Sequence, residues 1–185
     1  MKKILGIIAG AAIALASCTN EEESTWDKYR DWRELNEAWL LEMQTKTNAD
    51  GTPYYSVVVP EWNPGIFVLM HWYEGRDAYA DNLTPLYTST VDVRYQLHLC
   101  NDTLVDCSDD LTVYGAKGIF RSKISSLIPG WAVAMENMHC GDSVEVLVPY
   151  GAAYAAQTNG NIDPYSNLRF NIRLVDIPYY EKSPY

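Results

Sequence analysis

Apolar and polar residues alternate most cleanly between Thr90 and Leu99, with Val91, Val93, Tyr95, Leu97 and Leu99 on one face and Asp92, Arg94, Gln96 and His98 on the other. Side chains of a strand point alternately to its two faces, so this stretch reads as a half-buried strand. The pattern recurs twice. Val144, Val146 and Val148 alternate against polar neighbours, and Leu168, Phe170, Ile172 and Leu174 alternate with Arg169, Asn171 and Arg173. The runs YYSVVVP (Tyr54 to Pro60) and GIFVLMHWY (Gly65 to Tyr73) are rich in β-branched and aromatic residues, are bounded by Pro or Gly, and read as two more strands. Asn101 to Thr103 have turn chemistry, so a hairpin is expected to return through Leu104, Val105 and Asp106.

A period of three to four residues marks two helices. From Ser24 to Met43 bulky apolar groups recur at Trp32, Leu35, Trp39 and Met43, with Ser24 as N-cap, Asp27 three residues on, and the turn residues Asn48, Asp50, Gly51 and Pro53 beyond. This face is expected to pack on its own domain; a membrane- or glycan-facing role for Trp26, Trp32 and Trp39 is the alternative. The second helix is short. A turn at Ile128, Pro129 and Gly130 delivers Trp131, Met135 and Met138 share its face, and Gly141 is expected to stop it. Antiparallel strands with one face buried under a single short helix place the chain in the α+β class. No repeat or Gly/Ser-rich linker divides the chain, so the strands before residue 73 belong with the sheet.

The start of the chain follows another pattern. Lys2 and Lys3 precede an apolar run from Ile4 to Ala16, too short to span a membrane, and LASC follows at Leu15 to Cys18. This looks like a bacterial lipoprotein signal, which implies cleavage before Cys18 and a lipid-bearing Cys18 as the new N-terminus; an ordinary signal peptide is the alternative. The acidic cluster Glu21 to Glu23 resembles the surface-export signal of Bacteroidetes lipoproteins and reads equally as a solvated tether. The expected organisation is a signal peptide over 1–17, a tether over 18–25, a helix and turn over 26–53, and a domain over 54–185.

Charge narrows the function classes. The 185 residues hold 14 Lys and Arg against 24 Asp and Glu, a formal charge of −10, and loss of Lys2 and Lys3 with the signal deepens the acid excess. Phosphate binding needs basic patches, so nucleic acid is not expected as a partner. His71, His98 and His139 lack metal-ligand spacing and no Cys-x-x-Cys occurs, so neither a metal nor a cofactor is expected. Nucleophile-elbow, P-loop and dinucleotide fingerprints are absent from the sequence as well. With Cys18 lipidated, Cys100, Cys107 and Cys140 remain. A hairpin turning at Asn101 to Thr103 pairs Cys100 near residue 104, so a Cys100–Cys107 bridge is not expected.

Several spaced motifs then fall in a familiar order. They are VRYQLHLCNDTLVDCS, with Tyr95 and Asp106 eleven residues apart; LIPGW, from Leu127 to Trp131; AAY, ending at Tyr154; NIDP, with Ile162 and Pro164; and LRFNIRL, with Phe170. Over roughly residues 88 to 178 the chain resembles the FKBP-type peptidyl-prolyl cis-trans isomerases. The resemblance implies an FKBP-like antiparallel sheet wrapped around one short α-helix, here with an N-terminal helical extension. It also implies isomerisation of Xaa-Pro bonds in proline-containing segments of exported proteins. The lipoprotein signal would place that activity in the cell envelope, lipid-anchored to a bacterial outer membrane on its periplasmic or cell-surface face.

By the same resemblance Tyr95, Asp106, Trp131, Tyr154 and Phe170 are the catalytic residues, and Val105, Leu127, Ile128 and Ile162 bind substrate. Trp131 is the floor under the proline ring, Tyr95 and Phe170 are walls, and Ile162 closes the lid side. The Tyr154 phenol and the Ile128 N–H donate to the substrate carbonyl, while Asp106 orients Tyr95. Four departures are visible. Val105 stands where the family has Phe, Ala155 replaces a Gly, Asp163 replaces a Pro, and LTVYGAKGI (Leu111 to Ile119) offers no aromatic at the usual wall position. Phe to Val alone removes about 1–3 kcal/mol of apolar contact, so a thinner bowl and weaker turnover are expected. The alternative function is a weakly active or non-catalytic FKBP-like binding lipoprotein. A third class is a glycan-binding or adhesive lipoprotein built on Trp26, Trp39, Trp62 and Trp72.

Overall fold

The computed structural model describes residues 23–179, so the signal peptide and Cys18 lie outside the described residues. Ser24 caps the one-turn helix α1 (Thr25–Lys28), its hydroxyl accepting the Asp27 N–H at 3.2 Å. Tyr29 then leaves helical geometry (φ −104°, ψ 24°), and α2 (Arg30–Thr45) follows. The single helix expected from Ser24 is therefore two. Along α2 the inward stripe runs Trp32, Asn36, Trp39, Leu40 and Met43, the spacing of one helical face, while Leu35 points outward and stays 51% exposed. Apolar spacing alone had put Leu35 on the buried face; the structure puts Asn36 there.

The strands are β1 (Ser56–Val58), β2 (Val68–Trp72), β3 (Thr90–Leu99), β4 (Leu104–Cys107), β5 (Thr112–Val113), β6 (Ala116–Lys117) and β7 (Phe120–Lys123), then β8 (Ser143–Val148) and β9 (Leu168–Asp176) on either side of the site loop. The first two are shorter than their apolar runs, since Pro60, Pro64 and Gly65 break up the connection between them. The main sheet runs β1-β2-β8-β9-β3-β4, all antiparallel; β7 pairs the first half of β3 where β4 pairs the second. In the β3–β4 hairpin Asp102 takes the left-handed turn position (φ 64°), His98 faces Leu104, and Gln96 faces Cys107. Cys100 thus sits in the turn, and Cys100, Cys107 and Cys140 are free thiols.

The concave face holds the core. Val91, Val93, Leu97, Val144, Val146, Val148, Leu168, Phe170, Ile172 and Leu174 are all buried against α3 (Pro129–Met135), whose residues from Gly130 to Met135 are buried too. Each such side chain is worth roughly 1.5–3 kcal/mol of burial, which makes this layer the main stabiliser. α3 ends at Met135 and not at Gly141. Glu136 caps it, the Asn137 and Met138 amides fall back to three-residue bonds, and the Asn137 side chain takes the freed Val133 carbonyl at 2.9 Å. Gly141 (φ 107°) serves the later turn into β8.

A second apolar layer covers the other face at the β1-β2-β8 end. Tyr55, Leu69 and Leu147 are buried there under Trp39, Leu40 and Met43 of α2. The sheet is therefore covered on both sides at that end, whereas the alternation along 143–148 suggested one buried face. The N-terminal helix is the cover.

Candidate active site

Six elements converge on an open-mouthed pocket of about 320 Å³. β3 contributes Tyr95 and Leu97, β4 Asp106, β7 Phe120, α3 Trp131 and β9 Phe170, with Tyr154 arriving on the loop after β8. Ser126, Leu127 and Ile128 line the approach to α3. Trp131 is 4% exposed and forms the floor. Three rings stand edge-on to it: Phe170 at 5.2 Å between centroids, Tyr95 at 5.4 Å and Phe120 at 6.1 Å, at interplanar angles of 85–87°. Edge-to-face contacts are the favoured arrangement of aromatic quadrupoles, each worth about 0.5–1.5 kcal/mol beyond burial. The Tyr95 ring also meets Phe120 at 5.6 Å and Phe170 at 6.4 Å, which closes the box.

The polar rim is tied to the same ring. Tyr95 Oη donates to Asp106 Oδ2 at 2.6 Å, and Asp106 Oδ1 accepts the Cys107 N–H at 2.9 Å. Burial, and then the Asp106 hydrogen bond, push the Tyr95 phenol well above its ordinary range. Ser108, fully buried, accepts the Tyr95 N–H through its hydroxyl and donates its own N–H to the Tyr95 carbonyl, both at 3.0 Å. That pair fixes Tyr95 from behind.

α3 is delivered by its first residues. Ile128 is the extended N-cap, Pro129 occupies the first turn where a missing N–H costs nothing, and the Ile128 N–H is left out of backbone hydrogen bonding among the described residues. A Cβ on Gly130 would fall onto the Val148 side chain and lie 3.2 Å from the Ala152 carbonyl oxygen. Only glycine lets α3 sit this close to β8, so it is Gly130 that sets the depth of Trp131.

The loop carrying Tyr154 is held in an unusual form. It opens with a short 3₁₀ turn, Tyr150–Ala152, and has non-glycine residues in the left-handed region at Ala155 (φ 52°) and Tyr165 (φ 63°). The Tyr165 N–H donates to the Ala155 carbonyl at 2.8 Å, linking the two. Such conformations cost of order 1–3 kcal/mol each and persist only where the surroundings over-determine them. Ala155 is the position at which the resembled family carries glycine.

Of the residues expected at the site, Tyr95, Asp106, Leu127, Ile128, Trp131, Tyr154 and Phe170 line one pocket. Val105 and Ile162 do not. The register slips here, Asp106 lying opposite Leu97 but Leu104 opposite His98, so Val105 is the extra residue of a bulge and packs half-buried against the core without lining the pocket. Ile162 is 4% exposed and lies within the core beneath the loop. Phe120, Leu97 and Ser126 were not expected there. Phe120 supplies the aromatic wall that Leu111 to Ile119 lacks, and it is the residue immediately after that stretch. The four tryptophans of the glycan-binding alternative do not form one exposed surface: Trp72 is buried and Trp39 packs under the sheet, while Trp26 and Trp62 are exposed. Among the described residues no cluster of three His, Cys, Asp or Glu could hold a metal, and no helix is long and apolar enough to cross a membrane.

Residues 83–175 match the family model of the FKBP-type peptidyl-prolyl cis-trans isomerases. The outer membrane protein MIP of Legionella longbeachae is 33% identical over 117 residues, which cover 62% of this chain and 48% of that protein. The chain spans about half the length of the relatives it matches. Among solved structures, FkpA from Escherichia coli superposes with a TM-score of 0.60 at 21% identity, over 81% of this chain and 62% of that one. A peptidyl-prolyl cis-trans isomerase from Pseudomonas syringae pv. tomato gives 0.56 at 23% identity, over 78% and 93%. The fold is FKBP-like.

Proposed function

The chain belongs to the FKBP-type peptidyl-prolyl cis-trans isomerase family, and on that premise we propose that it isomerises Xaa-Pro bonds in segments of exported proteins at the cell envelope. The observation that carries this reading is the closed aromatic box of Tyr95, Phe120 and Phe170 standing edge-on to Trp131. Rotation about an Xaa-Pro bond passes through a twisted amide with a barrier near 20 kcal/mol and needs neither nucleophile nor proton transfer. Stripping water from the amide weakens its charge-separated planar form, and fixed donors hold the carbonyl as it turns. A rate gain on the order of 10⁶ requires about 8 kcal/mol of such preference for the twisted form.

Each residue has a place in that scheme. Trp131 lies under the proline ring, Tyr95, Phe120 and Phe170 shield it, and Leu127 takes the flanking apolar side chain. The Tyr154 phenol and the free Ile128 N–H donate to the substrate carbonyl, Asp106 pins Tyr95, and Ile162 supports the loop from within. Phe120 argues for catalysis over the non-catalytic binding module, because it restores the wall whose absence favoured that module. The deciding measurement is a proline-isomerisation assay with the full chain and an Ala-Xaa-Pro-Phe peptide. Acceleration that grows with bulky apolar Xaa is expected; none at high micromolar protein leaves the binding module.

The anchor is part of the same proposal. Lipid on Cys18 would hold the domain at a bacterial outer membrane, in keeping with the name of the Legionella relative, and the acidic tether would keep it off the surface. Wild-type protein is expected to partition into detergent and Cys18→Ser into water with its fold unchanged. Recovery of wild type as a water-soluble species with unmodified Cys18 refutes the anchor.

A further inference from the structure

The buried face of α2 carries a fully buried asparagine where an apolar side chain would serve docking better. Asn36 Oδ1 accepts the Asn167 N–H at 2.7 Å, and the Asn36 carbonyl accepts Asn167 Nδ2 at 2.6 Å. Asn167 Oδ1 in turn accepts the Tyr150 N–H at 2.8 Å. Asn36 Nδ2 is satisfied within the helix by the Trp32 carbonyl. One asparagine pair therefore ties both ends of the site loop, at Tyr150 and Asn167, to a helix that lies outside the family-matched residues 83–175. Two more ties run alongside. Trp32 Nε1 donates to Ser166 Oγ at 2.9 Å, and Trp26 meets Tyr165 edge to face at 5.3 Å.

Between those ends lie the left-handed Ala155 and Tyr165, and next to Ala155 lies Tyr154, which reaches the pocket. A loop with two strained non-glycine residues keeps its form only if something outside it enforces that form. We infer that Asn36 is a positioning residue of the isomerase site: through Asn167 and Tyr150, α2 holds the loop in the conformation that aims Tyr154 at the substrate carbonyl. The inference rests on the isomerase reading for its consequence, though not for the coupling itself. It assigns the N-terminal helix a role in catalysis beyond covering the sheet. The predicted signature is a fall in kcat at nearly constant KM, because a misplaced donor is lost from the twisted state more than from the bound ground state.

The test uses the full chain with Asn36→Ala, the milder Trp32→Phe, and Met43→Ala as a control that loosens α2 at the second apolar layer, remote from the loop. Isomerisation kinetics, amide exchange at Tyr150, Tyr165 and Asn167, and melting temperature are measured on each. Asn36→Ala is expected to lower kcat about tenfold with KM changed less than about twofold, and to speed exchange at Tyr150 and Asn167 at least about tenfold. Trp32→Phe should show the same pattern at roughly two- to threefold, and it decides the matter if Asn36→Ala fails to fold. Met43→Ala should lower the melting temperature while leaving kcat and loop exchange alone. Wild-type loop exchange and kcat in folded Asn36→Ala, or an equal loss of kcat in Met43→Ala, overturns the inference. If wild type itself shows no turnover while Asn36→Ala still frees the loop, the coupling stands and the isomerase reading falls.

Discussion

The Tyr95 hydroxyl reaches Asp106 at 2.6 Å while the Tyr95 ring stands on Trp131 at 5.4 Å. One side chain thus joins the floor of the pocket to its polar rim. Asp106 is exposed and contributes little to the core, so its removal should act on the site more than on the fold. Asp106→Ala is expected to free the Tyr95 ring and lower kcat/KM about tenfold, with stability changed by less than about 1 kcal/mol. Peptide isomerisation and denaturant melts on the same preparation check both halves.

The pH profile follows from the same pair. The Tyr95 phenol is held neutral by burial and by Asp106, and the proposed mechanism uses no titrating nucleophile. Turnover should be flat from about pH 6 to pH 8. A bell-shaped profile with a limb inside that window would contradict a mechanism of shape and desolvation.

At high pH the fold should weaken. Burial pushes the Tyr73 phenol up to about 12, and Tyr55 and Tyr95 higher still, Tyr55 also through its hydrogen bond to Glu145. A phenol whose folded pKa is raised binds its proton more tightly in the native state. Its stabilisation is complete below the unfolded value near 10 and drains away as pH rises through the folded value. Melting temperature should therefore hold up to about pH 10 and fall steadily above it, tracking tyrosinate absorbance.

The wall of the pocket separates two substitutions that the sequence alone ranks the other way. Phe120→Ala removes a ring that touches both Tyr95 and Trp131 and should lower kcat/KM by about tenfold or more, at about 1–3 kcal/mol of lost contact. Val105→Phe, which restores the family residue, should change kcat/KM by less than about twofold, since Val105 packs against the core and does not line the pocket. A large gain from Val105→Phe would show that this position reaches the substrate.

Backbone conformation predicts opposite signs at two small residues. Ala155→Gly relieves a left-handed alanine on the surface and should stabilise the protein by about 1 kcal/mol or less. Gly130→Ala drives a methyl group into Val148 and should destabilise it by about 1–3 kcal/mol while lifting Trp131 and lowering turnover. Denaturant melts of the two variants, read against wild type, give the signs directly.

Much of the site was legible because its residues sit on strands with clean alternation. Tyr95 and Phe170 occupy inward positions of β3 and β9, and the turn before Trp131 announces itself through Pro129 and Gly130. Phe120 escaped because β7 is four residues long, too short for a period to show, and follows two-residue strands set among glycines. Asn36 escaped for a different reason. A polar residue in an amphipathic helix reads as solvent-facing unless its partner is known, and Asn167 is 131 residues away.

What the sequence determined by itself was the local periodicity: which residues of 90–99, 143–148 and 168–174 face the core, and hence the α+β sheet under a short helix. Those are consequences of side-chain direction along a strand, which neighbours in the chain decide. Tertiary structure alone decided that α2 covers the second face of the sheet, that Val105 stays out of the pocket lining while Phe120 enters it, and that two left-handed residues persist in the Tyr154 loop. Each of these depends on contacts between segments far apart in the chain, whose energies compete with local preference and here exceed it.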